Sequence, residues 1–113
     1  MISMGEPLTN QAMLHFKSQV LLILSEVPFG QYIAYGELAK QAGFPGYARH
    51  VGTLLKTLPK DTKLPWHRVV NAQKRISFTE NSDDYVRQRE RLEQEGWVIV
   101  GTKLVLNEKS QAK

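Results

Sequence analysis

Two short segments of helical spacing meet across Gly43-Phe44-Pro45-Gly46, and this junction constrains the fold more than any other feature of the chain. Residues 35–42 carry Leu38, Ala39 and Ala42 on one face, and residues 47–57 carry Val51, Leu54 and Leu55. Gly43 stands where a helix commonly stops in the left-handed conformation, and the glycines with Pro45 spell a turn. Pro59 closes the second segment. Two helices joined by so short a turn predict a helix-turn-helix. A longer helix precedes them. Met13, Phe16, Val20, Ile23 and Leu24 recur at helical spacing, Thr9 or Asn10 serves as N-cap, and Pro28-Phe29-Gly30 ends it.

The second half of the chain reads differently. After the polar loop 60–63, Val69 and Val70 start a short strand, with Ile76 and Phe78 as its return and the basic loop 71–75 between them, an arrangement like a wing. Asn81 or Ser82 caps a last helix over residues 83–95, with Asp83 and Asp84 near its positive end and Gly96 as its stop. Residues 97–100 and 103–106 read as a hairpin around Gly101-Thr102. The expected fold is therefore mainly α with small β hairpins, a winged helix-turn-helix DNA-binding domain. It forms one domain over residues 9–106, between a loose lead at 1–8 and a polar, frayed tail at 107–113.

Composition narrows the chemistry. Cysteine is absent, which excludes disulfides, thiolate metal sites and cysteine nucleophiles. His15, His50 and His67 follow no metal-ligand spacing, so neither metal nor cofactor is expected. The apolar run Val20–Leu24 is too short for a membrane span. Met1 to Glu6 lacks the basic start and apolar stretch of a signal peptide, giving the expectation of a cytoplasmic protein, nucleoid-associated if bacterial. A net charge of +4 suits a polyanionic partner.

Three stretches carry more specific information: Tyr35-Gly36-Glu37-Leu38-Ala39, the run from Gly43 to Gly52, and Pro65-Trp66-His67-Arg68-Val69-Val70. In order and spacing they resemble the C-terminal, DNA-binding domain of O6-alkylguanine-DNA alkyltransferases, over about residues 10–100. The third stretch there contains Pro-Cys-His-Arg-Val. Trp66 stands at the position of the alkyl-accepting cysteine, a replacement that resembles the alkyltransferase-like proteins, which bind O6-alkylguanine without removing the alkyl group.

The chemistry of the residues agrees with that resemblance. Displacing an alkyl group from guanine O6 needs a strong, soft nucleophile such as a thiolate. The indole N–H of Trp66 is a donor with no available lone pair. His67 and Glu95 match the positions that activate the thiol, with no thiol to activate. Leu58 matches an asparagine that the enzymes place before the Pro-Cys-His-Arg motif. The glycine-rich segment of the enzymes is not reproduced after Ile76.

The resemblance also implies roles for single residues. Arg49 enters the base stack from the minor groove and fills the space of a flipped nucleotide, a task suited to a flat guanidinium. Tyr35 helps rotate the nucleotide by crowding its phosphate. Trp66 forms a wall of the pocket, Val69 and Val70 present backbone or apolar surface to the base edge, and Lys74 and Arg75 make the wing contact. From position alone Arg49 is a solvated helix arginine, Lys74 and Arg75 a solvated turn, Tyr35 and Trp66 packing residues, and Arg68 and Trp97 structural. The partner implied is double-stranded DNA containing O6-alkylguanine, bound by a monomer that marks the lesion for nucleotide excision repair proteins. Two other classes fit the same sequence: a winged-helix transcriptional regulator, and an alkyltransferase with an atypical acceptor.

Overall fold

The computed structural model describes residues 9–109; the expected lead at 1–8 and the end of the expected tail, 110–113, lie outside the described residues. Helix α1 (Asn10–Ser25) starts where Thr9 Oγ1 accepts the Ala12 N–H at 3.0 Å. Phe16, Val20 and Leu24, four residues apart, form its buried stripe. Strand β1 (Ile33–Ala34) leads directly into α2 (Tyr35–Gln41). The chain then turns through Gly43 at φ +93° and Gly46 at φ +88° into α3 (Ala48–Lys56). Phe44 fixes this turn to α1 by an edge-on ring contact with Phe16 at 5.1 Å. The helix-turn-helix expected from the sequence is present, with Leu38, Ala39, Val51 and Leu54 closing over the α1 stripe as one core.

A single turn of 3-10 helix (Trp66–Arg68) delivers the chain to strand β2 (Val69–Val70). Here the structure corrects the sequence reading. Val69 and Val70 do not open a hairpin with Ile76 and Phe78; they pair in parallel with Ile33 and Ala34. Residues 71–75 instead close a tight turn, in which the Asn71 N–H reaches Arg75 O at 3.0 Å and Asn71 Oδ1 accepts the N–H groups of Gln73 and Arg75. The chain beyond that turn joins the C-terminal hairpin, with the Ile76 N–H on Thr102 O and the Leu104 N–H on Lys74 O.

Helix α4 (Asp83–Gln94) is capped by Ser82, whose Oγ accepts the Tyr85 N–H, and strands β3 (Trp97–Val100) and β4 (Lys103–Asn107) pair antiparallel as expected. Val70, Ile76, Tyr85, Leu92, Trp97, Ile99 and Leu104 form a second core. Successive strand residues face opposite sides, so Val69 belongs to the first core and Val70 to the second.

The ordered domain also runs one residue past its expected edge. Asn107, placed by the sequence in a frayed tail, is buried, and its Nδ2 donates to Gly30 O and Glu95 O, both at 3.1 Å. No helix among the described residues is long and apolar enough to cross a membrane.

Gly96 holds the α4–β3 corner at φ +100°, and a Cβ there would lie 2.5 Å from Asn107 Oδ1 and 2.7 Å from Lys109 Cγ. Gly43, at φ +93°, has nothing within 4 Å of such a Cβ. Gly43→Ala is expected to cost about 1–2 kcal/mol from backbone strain alone. Gly96→Ala should cost distinctly more, since a buried amide must also move. Urea unfolding of both variants measures the difference.

Candidate nucleic-acid interface

The start of α2, the exposed face of α3, the 3-10 turn and the middle of α4 surround a cleft of about 790 Å3. That size lies within the roughly 300–1,000 Å3 of pockets that hold small molecules. Tyr35, Arg49 and Trp66, separated widely in the chain, all line it. Tyr35 is the first residue of α2, and its hydroxyl shares a 3.0 Å hydrogen bond with Ser77 Oγ. Burial pushes the Tyr35 hydroxyl pKa up, so it is neutral and able to donate at pH 7. Arg49 is the second residue of α3, exposed, and forms no ion pair with another described residue.

Trp66 is half-buried against α4. Arg87 and Arg91, one helical turn apart, bring their guanidinium carbons to 5.0 Å and 5.6 Å from the indole ring. Two cations against the electron-rich ring hold it in place. Arg87 is itself held by Asp84 at 3.2 Å. The sequence reading missed both arginines: their i, i+4 spacing shows that they share a face of α4 and not what that face meets.

Four expected contact residues lie elsewhere. Val69 and Val70 are 1% and 0% exposed and do not line the cleft, so they offer no apolar side-chain surface to a base. The strand pairing with β1 commits both to the cores. Lys74 is also outside the cleft. Its ammonium sits 5.2 Å from the Tyr32 ring and 5.1 Å from the Trp97 ring, which draws it onto the protein's own aromatic surface. Arg75 is exposed at the turn, with Nη1 donating to Thr102 Oγ1 at 3.1 Å. Leu58 lines the cleft, as do Phe78 and Gln88, which no sequence signal singled out.

Behind Trp66 a buried carboxylate organises the turn. Glu95 Oε2 accepts from His67 Nε2 at 2.7 Å and from Arg68 Nη2 at 2.7 Å, and Oε1 accepts the Gly30 N–H at 2.9 Å. Arg68 also donates through Nη1 to Val27 O at 2.7 Å, the structural role that its position suggested. Burial pushes the His67 pKa below its ordinary 6.5, an effect that the bond to Glu95 opposes without cancelling. Burial raises the Glu95 carboxyl, but its bonds from Arg68, His67 and the Gly30 N–H together hold it below its ordinary 4.5. At neutral pH the pair is therefore imidazole and carboxylate. With Nε2–H given to Glu95, His67 Nδ1 is an acceptor, and it has no hydrogen-bond partner among the described residues.

Residues 15–97 match the family described as 6-O-methylguanine DNA methyltransferase, DNA binding domain. The chain belongs to this family. Its relatives include a DNA base-flipping protein of Vibrio parahaemolyticus, 48% identical over 72% of this chain and 79% of the relative. Alkyltransferase-like protein 1 of Schizosaccharomyces pombe is 43% identical over 79% of this chain and 82% of the relative. The crystal structure of S. pombe Atl1 in complex with damaged DNA containing O6-carboxymethylguanine superposes with a TM-score of 0.76 at 42% identity, covering 85% of this chain and 94% of that one. Within the family the chain is an alkyltransferase-like protein, as the three stretches around Tyr35, Arg49 and Trp66 implied, and its fold is the family's helical domain with wing hairpins.

The His67–Glu95 pair gives acid sensitivity a definite sign. The unfolded chain takes up a proton on His67 near pH 6.5, whereas the folded chain resists it to lower pH. Stability from the neutral imidazole is thus present above 6.5 and lost as pH falls below it. The Glu95 contribution is likewise present above 4.5 and lost as pH falls toward its lowered folded value. Thermal melts should show a flat Tm above pH 7, a decline below about 6.5 and a steeper one below about 4.5. A Tm that rises on acidification from pH 7 to 5 contradicts this assignment.

Proposed function

We propose that this chain is a non-enzymatic sensor of DNA damage: it binds duplex DNA, holds an O6-alkylated guanine flipped into the cleft, and leaves the alkyl group in place. The observation that carries this reading is the convergence of Tyr35, Arg49 and Trp66 on one cleft in a chain with no cysteine. A base cannot be inspected at O6 while stacked in a duplex, so the nucleotide must rotate out, at a cost of a few kcal/mol that is smaller for a poorly paired, alkylated base. Arg49, unpaired by any described carboxylate and placed at the rim on α3, is suited to fill the vacated stack. Tyr35, at the start of α2, is suited to crowd the phosphate.

Transfer chemistry has no acceptor here. In-line displacement of the alkyl group requires a strong, soft nucleophile such as a thiolate, and the residue at that position is an indole flanked by two guanidinium groups. His67 and Glu95 keep the geometry of an activating pair and form a structural bond instead. Trp66 supplies an aromatic face on which the base or its alkyl group stacks, worth about 1–3 kcal/mol. The bound complex is then itself the signal, and the family resemblance directs it to nucleotide excision repair. The names of the relatives, a base-flipping protein and a protein crystallised on O6-carboxymethylguanine DNA, support the same reading.

Titration against matched duplexes with guanine or O6-methylguanine, at one stated salt concentration, tests it. The lesion is expected to bind at least tenfold more tightly. Arg49→Ala should lose about tenfold or more on the lesion duplex while keeping a native circular dichroism spectrum, since part of a flipping cost of a few kcal/mol is no longer offset and each 1.4 kcal/mol is about tenfold in affinity. Equal affinity for the two duplexes, or preference for one undamaged sequence, refutes the sensor and favours a regulator. Incubation with radiolabelled O6-methylguanine DNA should leave the protein unlabelled. The Trp66→Cys variant should also transfer label poorly, because Leu58 supplies no amide to the cleft.

A further inference from the structure

A second concavity, of about 670 Å3, lies between the last turn of α1, the segment leading into β1 and one face of α2, and none of its lining residues lines the cleft. Val27 and Ile33, each 9% exposed, bring the first core to its surface. Tyr32 also lines it, 40% exposed, its ring set edge-on to Trp97 at 5.7 Å. Strand β1 is bonded to β2 alone, so its other edge is unpaired, and both of its residues line this groove. The charge is the reverse of the cleft's. Lysine and arginine outnumber aspartate and glutamate in the chain by 15 to 11, yet among the described residues no cation lines the groove, and Glu26 and Glu37 do. Lys74, resting on the Tyr32 ring at 5.2 Å, stays outside the lining. Gln41, one turn after Glu37, donates Nε2 to its Oε2 at 3.0 Å, and neither carboxylate forms an ion pair with a described residue.

We propose that this groove docks an extended, basic segment of a protein partner, one in which aliphatic residues alternate with lysine or arginine. The unpaired edge of β1 offers main-chain hydrogen bonds to an added strand. Successive side chains of a strand face opposite ways, so one set packs against Val27 and Ile33 while the other carries its charge to the exposed Glu26 and Glu37. Two carboxylates without cationic partners repel phosphates, so the DNA backbone is not the occupant. A second copy of the chain seated symmetrically would set these carboxylates against each other. A two-residue strand edge and two exposed charges make for weak, reversible binding, suited to a transient partner. The inference does not depend on which base fills the cleft, since the two sites share no residue.

Three acetylated heptapeptides titrated into the isotope-labelled full chain test this: valine alternating with lysine, valine with glutamate, and serine with lysine. The valine–lysine peptide is expected to move the main-chain amide resonances of residues 31–34 and of Glu37. The other two should bind on the order of tenfold more weakly, one for want of charge complementarity and one for want of apolar contact. Glu26→Lys combined with Glu37→Lys alters two exposed side chains, and this double variant should prefer the valine–glutamate peptide, reversing the order. Spermine, a cation with no strand to add, should not reproduce the shifts. Equal binding of the valine–lysine and valine–glutamate peptides by the unaltered chain overturns the proposal, as does the absence of shifts at millimolar peptide or their appearance only outside the groove. An unchanged order in a double variant with a native circular dichroism spectrum overturns it too. Shifts given equally by spermine refute a docked segment and assign the groove to free polycations.

Discussion

The buried carboxylate of Glu95 is the point on which the rest of the site depends. It lies at the end of α4, yet its oxygens are saturated by groups from the other half of the domain: the His67 imidazole, the Arg68 guanidinium and the Gly30 N–H. An ionised carboxylate out of water is tolerated only when its lone pairs are filled in this way. Because two of the donors are consecutive residues of the 3-10 turn, satisfying Glu95 also sets the position of Trp66 just before them. Deleting either side of this arrangement would strand a buried charge, which is far more costly than never having built it. Asn107 extends the same knot by bonding to the carbonyls of both Glu95 and Gly30.

The cleft inherits its character from that anchoring. Its front is the helix-turn-helix, with Tyr35 and Arg49 on separate helices, and its back is the indole held against Arg87 and Arg91. Electrostatics and packing act together here. The positive wall suits a polyanion, and the aromatic surface suits a base. Trp66 with Arg87 and Arg91 gives the site a flat, polarised surface.

Much of this was legible in the chain itself, and the exceptions share a cause. The helices announced themselves through their buried stripes, Phe16-Val20-Leu24 being the clearest, and through local stop signals such as Gly43 and Gly96. The C-terminal hairpin was readable from its alternating apolar residues. The parallel pairing of Val69-Val70 with Ile33-Ala34 was not, since a two-residue strand has no periodicity and its partner lies far away in sequence. That pairing is why the two valines turn inward. Lys74 looked like any exposed wing lysine until Tyr32 and Trp97, from two different elements, were seen to meet beneath it. Tyr35, Arg49 and Trp66 were identifiable as a set by resemblance; Gln88, a polar residue on a polar helix, became visible only once α4 was seen to line the cleft.

Strand β2 has an effect out of proportion to its length. Val69 is locked into the core beneath the helix-turn-helix, and Val70 into the core beneath α4 and the hairpin. One peptide unit therefore rivets the front wall of the cleft to its back wall. On the proposed reading, a base swinging in would meet an aperture whose width was set when the chain folded, so little ordering would remain to be done on arrival. Discrimination would then work as a gauge does, by whether the object fits a fixed gap, and not as a hand does, by closing around whatever it is given.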